Sequence, residues 1–241
     1  MGMTANAPRQ TQSHGLWGID KKWRQVLLYG ILATPLIALL AFVLIQPIKV
    51  LPRISLAPGF ALTDQDGNRL TNEDLRGSLT LYTFTYTNCG DGCAQTGPGM
   101  KAVQEAVAAV DTGGIPVQLV TISFDPERDS PAVLRQYADA LGADTSNWHF
   151  VTGEPTRLKN VIGRGFSTFY EQREDGSFEF YPTFVLVDGW GIMRAKYRTD
   201  APDTEIVQRD LRLLTKEINN SKGASKFAYE AAHLFLCYPD Y

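Results

Sequence analysis

The stretch Leu81 to Gln95, LYTFTYTNCGDGCAQ, constrains the fold most. Leu81-Tyr82-Thr83-Phe84-Thr85-Tyr86 is apolar, aromatic and β-branched, the composition of a buried strand. It runs into Asn88-Cys89-Gly90-Asp91-Gly92-Cys93, where three residues separate the two cysteines. Beyond Cys93 the pattern turns helical, with Met100, Val103, Val107 and Val110 at three- and four-residue steps. The thiols therefore fall between a strand end and a helix start. Unpaired amides and the positive helix end stabilise thiolate there.

The rest of the chain repeats this alternation. Phe60 to Leu70 reads as a hairpin around Asp66-Gly67, and Thr71 to Gly77 as a capped helical turn closed by glycine. Pro116 to Phe124 is a second buried strand. Asp125-Pro126-Glu127-Arg128-Asp129-Ser130-Pro131 then opens a helix, with Ser130 as N-cap and Pro131 at its first position. Asp125, Arg128 and Asp129 read as structural residues that cap and tie this turn, with partner contact as the second reading. Trp148 to Val151 is a short strand, and its His149 reads as structural. Leu158 to Gly165 is a short helix, and Phe178 to Val187 a single strand. The turn Asp188-Gly189-Trp190-Gly191 and the strand Ile192 to Tyr197 follow. Asp203 to Ile218 is a final amphipathic helix. Strand alternating with helix predicts an α/β domain around a mixed sheet.

Val26 to Ile45 holds no charged residue and matches the ~20 residues a helix needs to cross a bilayer. Pro35 is tolerable in such a helix. The run is too long for a signal-peptide core, so it reads as an uncleaved anchor. Lys21, Lys22 and Arg24 before it place the N-terminus in the cytoplasm. The resulting division is a cytoplasmic arm over 1–25, a transmembrane helix over 26–46 and a proline-stiffened linker over 47–57. A soluble domain over 58–218 and a tail over 219–241 follow. The chain is then a single-pass cell-membrane protein whose C-terminal domain is periplasmic or otherwise extracytoplasmic. That compartment permits disulfides. A net charge of -3 gives no electrostatic case for nucleic acid. His14 lies in the arm as a solvated histidine. In the tail, Phe227 to Cys237 is apolar almost throughout and too short to span a bilayer. It packs on its own domain or docks on a partner.

These residues resemble the Sco/SenC family, whose members are membrane-anchored, thioredoxin-fold copper proteins that help assemble the binuclear copper centre of cytochrome c oxidase. Three segments carry the resemblance: Phe84 to Cys93, Val120 to Pro131, and Trp148-His149-Phe150-Val151-Thr152-Gly153. Order and spacing agree from about Ala57 to Lys216. The resemblance implies a thioredoxin-like mixed sheet with flanking helices. It also implies copper as cofactor, with Cys89 and Cys93 as ligands or as a redox pair. The implied partner is a membrane redox complex such as cytochrome c oxidase. The chain departs from the family at the third ligand, a histidine. Its place falls on Phe180, or on Tyr181 if the turn slips by one. Gly90 and Ala94 stand where the family has prolines. Tyr181-Pro182-Thr183 looks like the thioredoxin-type segment in which a cis-proline faces the cysteines; an ordinary trans proline opening a strand is the alternative.

Three readings of the pair stand at this point. Soft Cu(I) suits two thiolates. A dithiol can instead cycle with its disulfide, giving thiol–disulfide oxidoreductase activity. The pair can also be a permanent structural disulfide. His233, four residues before Cys237 and so on the same helix face, is a candidate for restoring the third copper ligand. As a whole, the chain is expected to deliver copper or reduce cysteines during oxidase assembly. The alternative is an accessory structural subunit of a respiratory or photosynthetic electron-transfer complex, with a degenerate copper site.

Overall fold

A computed structural model of the chain describes residues 20–45, 48–89, 95–221, 223 and 225–235. Most of the expected cytoplasmic arm, His14 included, lies outside them, as do Cys93 and Cys237. The chain divides into two compact units, Met1–Pro47 and Ile48–Tyr241.

The first unit contains α1 (Lys21–Ile45), long and apolar enough to cross a membrane. Pro35 lies inside it. Just before it the Thr34 hydroxyl donates to the carbonyl of Gly30, one turn back, at 2.7 Å, the side-chain satisfaction an apolar helix favours.

The second unit is built on an eight-stranded sheet in the order β1-β10-β9-β4-β5-β6-β2-β3. Its strands are β1 (Ser55–Leu56), β2 (Ala61–Asp64), β3 (Arg69–Thr71), β4 (Leu79–Thr85), β5 (Val117–Ser123) and β6 (Trp148–Thr152). After a small hairpin of β7 (Tyr170–Gln172) and β8 (Phe178–Phe180), β9 (Phe184–Val187) and β10 (Ile192–Tyr197) complete it. β4, β5 and β6 are parallel, and the remaining pairings are antiparallel. β4 is central and buried along its whole length, as a strand covered on both faces must be.

Side chains alternate along β4, so its two faces build two cores. Leu79 and Leu81 pack with Met100, Val103 and Val107 of α2 (Thr96–Val107), Leu134 of α3 (Pro131–Leu141), and Val207 and Leu211 of α5 (Thr204–Asn220). Tyr82, Phe84 and Tyr86 face the other core, with Val120, Ile122, Ile162 and Phe166. As expected, Ser130 caps α3, its hydroxyl accepting from the Val133 N–H, with Pro131 in the first turn.

Four expectations need correction. The segment 47–57 is not only a linker: Val50 and Leu51 are buried and β1 extends the sheet on β10. The strand over 178–187 is broken into β8 and β9, because Pro182 has no N–H to give a ladder. The helix over 158–165 is a single α turn, α4 (Pro155–Leu158), continuing as a π-helical segment, Lys159–Gly165. Pro182 is trans, since no peptide bond among the described residues is cis. Just before it, the Tyr181 N–H extends the β7–β8 ladder by donating to the Phe169 carbonyl at 3.2 Å.

Candidate functional site

β4 delivers Cys89. The strand ends at Thr85, and the chain continues through Tyr86 and Thr87 to a half-buried Cys89 that is disulfide-bonded. The segment before the cysteine is held from below by Asp129. That carboxylate is wholly buried and accepts from the Thr87 N–H, the Thr87 hydroxyl and the Ser123 hydroxyl. A buried carboxylate needs such donors to repay its desolvation. The turn that carries it is closed by the Asp129 N–H donating to the Asp125 carbonyl at 2.8 Å.

Asp125 pairs with the Arg128 guanidinium. Burial pushes the Asp125 carboxyl above its ordinary range, and Arg128 offsets only part of this. Arg128 also donates to the Gly176 carbonyl and stands 5.9 Å from the Phe178 ring centre. Asp125, Arg128 and Asp129 thus tie three pieces together: the cysteine segment, the end of β5 and the β7–β8 hairpin.

That hairpin closes an aromatic box over the end of β4. Tyr86, Phe124, Tyr170, Phe178 and Phe180 pack with ring centres 4.8–6.4 Å apart. Cys89 and Phe180 are both half-buried against this core. Burial raises the Tyr170 hydroxyl to about 12, so it stays neutral. The two candidates for the histidine's place are now distinct. Phe180 is in the box, 5.2 Å from Phe124 and 6.1 Å from Tyr86. Tyr181 is largely exposed and stacks on Phe169 instead.

Behind the cysteine segment, α2 starts unusually close to its neighbours. A Cβ at Gly99 would lie 2.8 Å from the Asp200 carbonyl, and one at Gly97 would run into the Tyr137 hydroxyl. Residues 90–94, Cys93 among them, lie outside the described residues.

The structure does not bring His233 to Cys89. It lies on α6 (Ser225–Phe235), and its Nε2 meets Glu217 Oε1 at 2.9 Å. Glu217 also accepts from Arg194 at 2.7 Å, and Arg194 donates to Asp188 at 3.0 Å and to the Leu51 carbonyl at 2.8 Å. Burial opposes the charge on Glu217, but the His233 and Arg194 hydrogen bonds outweigh it and hold its pKa below the usual range. Val187, just before Asp188, pairs with Thr80 at the start of β4. The cysteine is at the other end, with a rise of ~17 Å over Thr80 to Thr85 alone. The imidazole is spent on an internal carboxylate. This ion cluster was not foreseen; the available signal was an arginine between Met193 and Ala195 inside a strand. His149 is structural as expected, at 3.3 Å from Gln118 Oε1. No metal-holding cluster of His, Cys, Asp or Glu occurs among the described residues.

The model of the family described as SCO1/SenC matches residues 51–215. The SCO1 protein homolog of Bacillus subtilis is 33% identical over 94 residues, 39% of this chain and 47% of that protein. The chain spans about half the length of the curated relatives it matches. The Arabidopsis thaliana ScoI structure with copper bound is 25% identical with a TM-score of 0.56, covering 68% of this chain and 99% of that one. The structure of BsSco, described as a member of the Sco family of cytochrome c oxidase assembly proteins with a disulfide switch, has a TM-score of 0.62 at 24% identity. It covers 70% of this chain and 98% of that one. The expected thioredoxin-like mixed sheet with flanking helices is the fold observed.

Proposed function

The chain belongs to the SCO1/SenC family, and from that premise we propose that it serves cytochrome c oxidase assembly as a membrane-anchored thiol–disulfide protein that also carries Cu(I). The observation behind this reading is a half-buried, disulfide-bonded Cys89 that packs against the same hydrophobic core as Phe180, one of the two residues at the family's histidine place.

Copper is cargo in this reading. The donor set fits it only in part. Two sulfurs, Cys89 and Cys93, suffice for Cu(I), whereas Cu(II) wants the nitrogen ligand that Phe180 cannot supply. Thiol exchange needs no third ligand. One thiolate of the reduced pair attacks a partner disulfide, forming a mixed disulfide and releasing one partner thiolate. The second thiolate then attacks that mixed disulfide and releases the other partner sulfur. The partner gains two electrons and the pair ends as the disulfide, the state Cys89 occupies here. A dithiol reductant resets it. The thioredoxin-like sheet supplies the rigid platform, and α1 keeps the domain at a membrane surface.

The test uses the full chain in detergent. Cu(I) uptake is measured by chelator competition, and disulfide content by alkylation after equilibration in graded glutathione buffers. Both a Cys89-dependent Cu(I) site and a reversible disulfide are expected, and Cys89→Ser should abolish both. A wild-type chain that shows neither would sink the proposal. One observation favours the accessory-subunit reading: Phe227 and Leu234 on α6 are 79% and 78% exposed. Co-migration with an oxidase after mild solubilisation of native membranes, persisting in Cys89→Ser, would select it.

A further inference from the structure

β1 pairs only with Ile192 and Met193, so it covers only the first half of β10. Past it, Lys196, Arg198 and Thr199 line two hollows of about 610 and 300 Å³, which adjoin through these shared residues. The larger is bounded by Ile54 and by Ile206 of α5. The smaller runs past Phe169, Tyr181 and Pro182. The groove therefore reaches Tyr181, the residue next to Phe180, and Phe180 packs against the same core as Cys89.

Its charge is one-sided. Lys196 donates to the Phe166 and Ser167 carbonyls at 2.9 and 2.8 Å, which are neutral groups. Arg198 is exposed, and among the described residues neither cation has a carboxylate partner. Asp203 is the one acidic residue lining the larger hollow, and its carboxylate is engaged by the Glu205 N–H at 2.8 Å. Burial and the Arg198 charge lower the Lys196 pKa, as expected for crowded cations without a counter-ion. Between the cations and the box lies apolar surface, the Phe169–Tyr181 pair with ring centres 5.2 Å apart.

We infer that this groove binds an extended acidic segment of a partner protein and so presents that partner to Cys89. Two adjoining hollows of about 610 and 300 Å³, lined by Lys196 and Arg198 together with apolar residues such as Ile54, Ile206 and Phe169, fit an extended chain bearing carboxylates and apolar side chains, and exceed what a lone anion fills. The inference rests on the proposed function only for what happens at Cys89, not for binding.

The experiment uses the full chain in detergent and two labelled, cysteine-free decapeptides, one alternating Glu with Val and one alternating Lys with Val. Fluorescence anisotropy should show the acidic peptide binding about tenfold tighter or more. Arg198→Glu should weaken it by a similar factor, and Tyr181→Ala should weaken it without reversing the charge preference. Cys89→Ser should leave binding unchanged, which separates failure of the groove from failure of the sulfur chemistry. Near-UV circular dichroism verifies that the variants fold. Equal binding of both peptides, or indifference to Arg198→Glu, would overturn the inference. So would an Arg198→Glu effect confined to phosphatidylglycerol vesicles, which would make the groove a lipid contact.

Discussion

Phe180 is the residue that tests the proposed copper reading. Its ring packs on Tyr86 and Phe124 in the core that Cys89 also borders, while Tyr181 pairs with Phe169. Phe180→His should therefore give the reduced protein a thiolate-to-copper absorption band with Cu(II), and Tyr181→His should not; visible titration decides. Asp129 makes a different test. Asp129→Ala strands three donors, from Thr87 and Ser123, and should cost about 3 kcal/mol in urea unfolding, since each stranded group costs ~1–3 kcal/mol. Cysteine spacing and the Asp125–Asp129 turn were legible because both are local in sequence. The different surroundings of Phe180 and Tyr181 were not legible, since side-chain direction there depends on a hairpin with Tyr170 that no local pattern marks.

Among the elements, α6 was the least readable. Its apolar run left open whether it covers its own domain or another. In the structure Tyr229 and Ala232 are buried and His233 meets Glu217, while Arg53 binds Glu230 at 3.2 Å. The helix thus does pack on the domain, and its other face carries Phe227 and Leu234. The Glu217 contacts predict a pH dependence. Its folded pKa is below its ordinary value of 4.5, so its contribution to stability is present above that value and fades as pH falls through the folded one. Glu217→Gln should flatten the acid limb of the urea midpoint against pH. Asp125 acts oppositely: its raised pKa favours the fold at low pH, and that contribution is lost as pH rises through its folded value. β4, β5 and α3 were read correctly from apolar runs and the Ser130-Pro131 start. The π-helical stretch and β1 were not, because tertiary pairing rather than periodicity makes them.

For the molecule as a whole, α1 predicts membrane residence. The full chain should stay in the pellet after an alkaline carbonate wash, and protease added from the periplasmic side should release the domain. A chain extracted by carbonate would refute the anchor. The division into a long apolar helix and an α/β domain was visible in composition. Sheet order was not, because it is decided by pairings between residues far apart in sequence, such as β4 with β9.

Cys89 follows the C-terminal end of β4, whereas Asp188 of the Arg194 ion cluster follows Val187 of β9, which pairs with Thr80 at the start of β4. Substitutions at the two ends should consequently add in free energy without interaction. Such a layout lets residues at the Cys89 rim change while the far rim keeps the scaffold intact.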